Sequence, residues 1–198
     1  IADAEIKYGR EPGSVQLLAV SKTRPVEDIR VAIMAKQHHF GENYLQDALP
    51  KITAIAKELT AHEIEWHCIG PIQSNKTHAI AQHFNWIHSV DRLKIARRLS
   101  EQRESSQKTL NICIQVNISG ESSKSGIAPD ETLILAKEIS SLPNIHLRGL
   151  MAIPATSHDF EQQRHSFRLL RELKEDIQSQ GIELDTLSMG MTNDMEAA

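Results

Sequence analysis

The chain has 198 residues, with 22 Lys+Arg against 26 Asp+Glu, a formal net charge of −4, 40% hydrophobic and 24% charged residues. These are ordinary values for a globular domain that can bury one core, and they assign residues 1–198 to a single domain. Mild acidity argues against a nucleic-acid partner, which needs a basic face for phosphates, and apolar runs as short as Leu17 to Val20 argue against a membrane span.

The chain opens at Ile1 with no initiator Met, inside what reads as a helix, and is read as a trimmed product without a signal peptide. Short β-rich runs then alternate with amphipathic stretches. The first candidate strand is Gln16–Val20; after it Val26, Ile29 and Ile33 share one helical face, with Pro25 where a first-turn Pro is tolerated. Strand His38–Gly41 leads into the pattern Leu45, Leu49, Ile52, Ile55, Leu59. Pro50 is expected to kink or split that helix, since an interior Pro costs ~3 kcal/mol. Strands Glu65–Ile69 and Trp86–Val90 follow, and Asp91 is a good N-cap for a helix bearing Leu93, Ala96 and Leu99. Asn111–Ile118 and Leu147–Ile153 come next, then a stripe of Phe160, Phe167, Leu170, Leu173 and Ile177 that stops before Gly181, a C′ residue. The last strand is Thr186–Met189, and the chain reaches Ala198 within what reads as a further helix.

Seven alternations imply a parallel sheet with right-handed crossovers. An open doubly wound sheet and a (β/α)8 barrel both satisfy the pattern, although a barrel takes about 250 residues and an eighth strand. Both architectures put chemistry at the carboxyl ends of the strands.

Four segments at such ends carry chemistry. In Leu17-Leu-Ala-Val-Ser-Lys22-Thr-Arg-Pro25 the lysine follows an apolar strand; desolvated there, its amine can attack an aldehyde. On pattern alone a lysine snorkelling into water is the better reading. In Leu187-Ser-Met-Gly-Met-Thr-Asn-Asp194, Gly190 permits close backbone approach and Ser188 and Thr192 bring hydroxyls. A helix start here would suit a phosphate, or the segment is an ordinary turn with Thr192 or Asn193 as cap. In His39-Phe-Gly-Glu-Asn43-Tyr, Asn43 suits a ligand edge or a helix cap equally. In Trp66-His-Cys-Ile-Gly-Pro-Ile-Gln-Ser-Asn-Lys76, His67 suits a satisfied core position and Lys76 a solvated one.

Other matches fail on spacing. His62 and His67 are five apart, whereas a zinc-protease helix needs four. Gly120-Glu-Ser-Ser-Lys-Ser-Gly126 lacks the Gly-Lys-Ser/Thr order of a phosphate loop, leaving Lys124 in a flexible loop. Asn117-Ile-Ser119 is a glycosylation sequon by formula only. His78, His83 and His158 form no convergent ligand set, so no metal is expected. Cys68 and Cys113 are too few and too far apart for a disulfide framework, which favours a reducing, cytoplasmic setting.

Taken in order, Leu18-Ala-Val-Ser-Lys22-Thr, Phe40-Gly-Glu-Asn-Tyr44, Trp66-His, Ile69-Gly-Pro-Ile-Gln-Ser-Asn-Lys76, His88-Ser-Val-Asp91, Gln115-Val-Asn-Ile, Lys124-Ser-Gly126, Gly149-Leu-Met-Ala-Ile153 and Leu187-Ser-Met-Gly-Met-Thr-Asn-Asp-Met-Glu-Ala-Ala198 resemble the pyridoxal 5′-phosphate homeostasis proteins. The ordered set spans nearly the whole chain and reverses the preference at Lys22. The resemblance implies an α/β fold, a (β/α)8 TIM barrel of the alanine racemase N-terminal-domain type, with its last strand lacking from this sequence. It implies Lys22 as the Schiff-base lysine, Asn43 and Met151 beside the cofactor, and Ser188, Met189, Gly190 and Thr192 at its phosphate. Thr192-Asn193 stands where the family more often has Ser-Asp; the hydroxyl is kept. The family's closing strand, with an Arg near the pyridine nitrogen and a Gly-Thr near the phosphate, is absent, and a trimmed sequence is the expected reason, since an open barrel exposes two edges.

A racemase needs a second acid/base opposite the lysine, and neither Tyr8 nor Tyr44 is placed to serve. The expectation is therefore a monomeric cytoplasmic carrier with no catalytic residue, holding pyridoxal phosphate and passing it to apo-enzymes. An amino-acid racemase using pyridoxal phosphate and a class I aldolase-type enzyme are the alternatives.

Overall fold

The computed structural model describes residues 1–58, 64–121 and 124–198. Leu59, His62, Ser122 and Ser123, which entered the sequence readings above, lie outside the described residues. Seven parallel strands form one sheet in sequence order: β1 (Ala19–Val20), β2 (His39–Glu42), β3 (Glu65–Cys68), β4 (Trp86–Val90), β5 (Leu110–Gln115), β6 (Ile145–Met151) and β7 (Thr186–Ser188). Helices α1 (Ala2–Lys7), α2 (Val26–Met34), α3 (Leu45–Ala56), α4 (Thr77–His83), α5 (Leu93–Gln102), α6 (Thr132–Ser140) and α7 (Phe160–Ser179) precede β1 and connect each strand to the next.

The order leaves β1 and β7 as the edges, and the sheet between them curls. In a flat sheet β4 and β7 would stand about 14 Å apart, three strand spacings. Yet His88 of β4 and Ser188 of β7 are joined ring to hydroxyl at 2.6 Å. Only a sheet rolled toward a barrel permits that contact. At the outside, the Lys7 ammonium pairs with Glu196 and the Tyr8 hydroxyl donates to it at 3.2 Å, tying the start of the chain to the segment after β7. This is a (β/α)8-type sheet with seven of the eight strands.

Period-two alternation sorts side chains between the rolled interior and the helical layer. Phe40 and Trp66, register partners whose rings are 5.7 Å apart, are buried with Ile29, Ile80, Leu99, Ile112 and Leu170 in the main apolar core. His39, His67 and His88, at the intervening positions, meet one another in the interior.

Four local expectations change. Pro50 does not split α3, which runs unbroken through it. Its ring deletes a single intrahelical bond, while Ala48 and Ile55 are buried on the core side and hold both halves. Asp91 does not cap α5: Arg92 is the N-cap residue, and the Asp91 carboxylate is taken by the Arg92 guanidinium at 2.7 Å. The segment after β7 is a run of turns, with no helix from 191 to 198. The first strand is also shorter than Gln16–Val20, because β2 begins at His39 and the Leu17 carbonyl accepts the Gln37 side-chain amide instead of a ladder bond. By contrast, Asp159 caps α7 by accepting the Gln162 N–H at 3.0 Å, and Gly181 follows it at φ +83°.

Candidate functional site

Lys22 lies two residues beyond β1. The register Val20↔Gly41 and the bond from Ser21 N–H to the Gly41 carbonyl, 2.9 Å, bring it level with Asn43 past the end of β2. Thr23, at φ +64°, then turns the backbone toward α2. Lys22 is exposed. This corrects the desolvated amine expected from the apolar run: β1 is an edge strand, so its end is covered on one side only. Asn43 is half-buried and does not cap α3, whose N-cap is Tyr44. The Asn43 backbone passes so close to Gly70, at the neighbouring strand end, that a Cβ there would stand 2.1 Å from the Asn43 carbonyl oxygen.

Beneath Lys22 is a polar knot that sequence reading missed. Glu42, fully buried, accepts from the Ser21 hydroxyl at 2.6 Å and from the Lys51 ammonium at 2.8 Å. Lys51 also donates to the Ser21 carbonyl at 2.8 Å. The signal was present in the spacing: Lys51 sits on the apolar side of α3, next to Ala48 and Ile52. The knot ties β1, β2 and α3 together one residue before Lys22.

The other cluster stands on the far edge. Met151, buried, and Ser188 are register partners across β6 and β7. Met189 and Ser188 are half-buried, while Gly190 and Thr192 are exposed. Gly190 has φ +86°, and a Cβ on it would meet that of Ala198 at 2.7 Å; glycine is needed there on both counts. Asp194 turns back to accept the Met191 N–H. A hollow of about 280 Å³ opens beside this turn, lined by Thr156, Ser157, Thr192, Asn193 and Asp194. The structure thus gathers Met151, Ser188, Met189, Gly190 and Thr192 at one edge and Lys22 with Asn43 at the other, all at carboxyl ends. Lys76 is instead the N-cap residue of α4, and Lys124 stands in the loop after β5.

The interior beneath the mouth holds a column of three histidines. His39 Nδ1 is 3.1 Å from His67 Nε2, His67 Nδ1 is 2.8 Å from His88 Nε2, and His88 Nδ1 is 2.6 Å from Ser188 Oγ. At its lower end Glu65 Oε2 lies 3.6 Å from His39 Nδ1 and accepts the Trp86 indole N–H at 2.9 Å. The Trp86 ring stacks on His67 and carries the Arg148 guanidinium on its plane, 4.7 Å from the ring centre; Arg148 in turn pairs with Asp185. Burial pushes His67 down to about 2, helped by the neighbouring rings, and His88 down to about 4. His39, Glu65 and His67 bring ligand-type atoms within 4.8 Å of one another, a grouping the sequence reading did not anticipate. In the structure each of these groups is engaged with the others or with Trp86. The sequence signal was three successive strands pairing an imidazole with a large apolar residue: His39-Phe40, Trp66-His67 and Ile87-His88.

The two thiols are buried, unpaired and pushed up to about 12 by burial, which leaves them inert. Among the described residues no helix is long and apolar enough to cross a membrane.

The profile of the alanine racemase N-terminal domain matches residues 6–198. A pyridoxal phosphate homeostasis protein of Vibrio alginolyticus is 55% identical over 98% of this chain and 83% of its own length. The structure of PipY of Synechococcus elongatus with PLP bound aligns at a TM-score of 0.85 and 32% identity, over 100% of this chain and 92% of that one. An alanine racemase of Clostridium difficile aligns at 0.71 and 14% identity, over 92% of this chain and 47% of that one, a likeness of fold alone.

Proposed function

The chain belongs to the pyridoxal phosphate homeostasis proteins of the alanine racemase N-terminal-domain family, and from that membership we propose that it holds pyridoxal 5′-phosphate between Lys22 and the β7 turn and hands it to apo-enzymes in the cytoplasm, acting as a monomer. The cofactor supplies an aldehyde that a neutral lysine amine captures reversibly, and a dianionic phosphate that needs hydrogen-bond donors. The residues present fit such a ligand. Gly190 leaves backbone bare where a side chain cannot stand, Ser188 and Thr192 bring hydroxyls, and the paired ends of β6 and β7 bring Met151 beside Ser188.

The observation that carries the reading is that all seven residues lie at or just beyond the carboxyl ends of β1, β2, β6 and β7, the end where a barrel puts its ligand. In this arrangement Lys22 is the capturing amine, held at its post by the Ser21–Glu42–Lys51 knot. Asn43, its backbone against Gly70, borders the same strand end, and the β7 turn grips the anion. What supports a carrier rather than a racemase is the position of the two tyrosines. Tyr8 follows α1 and donates to Glu196, and Tyr44 is the N-cap residue of α3 and 58% exposed, so neither is a desolvated acid/base. The relatives, too, are named for homeostasis and not for an enzyme.

The test is a solution of the protein with pyridoxal phosphate and alanine in deuterated water. A carrier develops the yellow absorbance of the bound cofactor and leaves the alanine α-proton unexchanged beyond a free-cofactor control. Exchange well above that control makes the chain a racemase-type enzyme, and no absorbance change removes the cofactor reading altogether.

A further inference from the structure

The histidine column has a direction, and the direction has a consequence at the site. Glu65 is held by the Trp86 indole with its Oε2 against His39 Nδ1. That oxygen is 3.6 Å away, too far to hydrogen-bond, but its negative charge favours a proton over a lone pair on that nitrogen. With the proton there, His39 Nδ1–H donates to His67 Nε2 across 3.1 Å. A buried neutral imidazole has one proton, so His67 carries it on Nδ1 and donates to His88 Nε2. By the same rule His88 carries its proton on Nδ1 and donates to Ser188 Oγ. The hydroxyl oxygen is then occupied as an acceptor, and its own proton must point elsewhere.

We propose that this column, anchored by Glu65, sets the Ser188 hydroxyl as a dedicated donor toward an anionic group at the β7 turn, with His88 as its positioning residue. The reverse polarity would have Ser188 donating inward to His88 and turning a lone pair on the ligand, which repels a phosphate. Burial of His67 and His88 keeps both rings singly protonated, so the polarity is not scrambled by a second proton near neutral pH. The identity of the anion as the cofactor's phosphate rests on the proposed function; the polarity of the column does not.

Two measurements test this. In ¹⁵N-histidine spectra of the wild-type protein without ligand, His67 and His88 are expected as Nδ1–H tautomers with bare Nε2 nitrogens; the opposite tautomer at either ring overturns the proposal whether or not the protein binds cofactor. Then pyridoxal phosphate and pyridoxal are titrated into wild type, Ser188→Ala, His88→Phe and the double variant. Each single change is expected to weaken pyridoxal phosphate roughly tenfold, as for one charge-assisted hydrogen bond, and the double variant to be no weaker than either. Binding of pyridoxal, which has no phosphate, should not change. Multiplying losses in the double variant, or equal losses for both ligands, overturns the positioning role. Absence of binding by wild type would instead sink the proposed function and leave the column to the spectra.

Discussion

Lys51→Met is expected to lower the stability of the protein by about 3–5 kcal/mol, the penalty for leaving one partner of a buried ion pair without its counter-charge. Glu42 has no exposed surface, and the Lys51 side chain is 11% exposed, so water cannot replace the ammonium. One carboxylate oxygen would keep only the Ser21 hydroxyl, and the other, Oε2, has no hydrogen-bond partner among the described residues in the first place. Urea unfolding measures the loss. The double variant Glu42→Gln with Lys51→Met should recover part of it, because the uncompensated charge is gone. A loss below about 1 kcal/mol would place the pair among solvent-screened surface bridges and contradict its role under Lys22.

The second large effect is on pH. His67 and His88 are held neutral in the folded protein, with affinities for protons depressed to about 2 and about 4, while in the unfolded chain both titrate near 6.5. Above pH 6.5 neither state is protonated and the stability is intact. As pH falls through 6.5 toward 4, the unfolded chain takes up protons that the folded one refuses, so stability drops. Each ring contributes a slope of about 1.4 kcal/mol per pH unit. Between pH 7.5 and pH 5 the free energy of unfolding in urea is therefore expected to fall by about 4 kcal/mol for the pair. The paired carboxylates contribute little in that range, since Arg148 holds Asp185, and Arg30 holds Glu58, below the usual carboxylate values. Equal stability at the two pH values would contradict the burial of an uncharged imidazole pair.

Much of this architecture was legible because parallel strands write themselves plainly. Trp86–Val90 appears with the ends read from the sequence, and the stripe from Phe160 to Ile177 becomes α7, with its Gly181 stop. What local pattern misjudged was decided by neighbours. Pro50 stays within a helix because buried Ala48 and Ile55 outweigh one lost bond, and Asp91 forgoes a cap because Arg92 claims its carboxylate. The candidate site divides in the same way. Ser188 and Gly190 were readable as a strand-end turn, and Met151 only through the family resemblance. The column was not, because its members lie 28, 21 and 100 residues apart and meet only when the sheet rolls. The environment of Lys22 was misjudged for a related reason: an apolar strand predicts a dry end only if both neighbours cover it, and β1 has one.

The central claim is that Lys22 is the amine that captures the cofactor aldehyde, and its most direct measurement is the site of covalent attachment. The wild-type protein, incubated with pyridoxal phosphate and reduced with borohydride, is digested and its peptides are weighed. The account predicts a pyridoxyl-phosphate mass on the peptide bearing Lys22, and none on any lysine of a folded Lys22→Ala variant. Attachment at Lys76 or Lys124, or undiminished attachment in that variant, would contradict it.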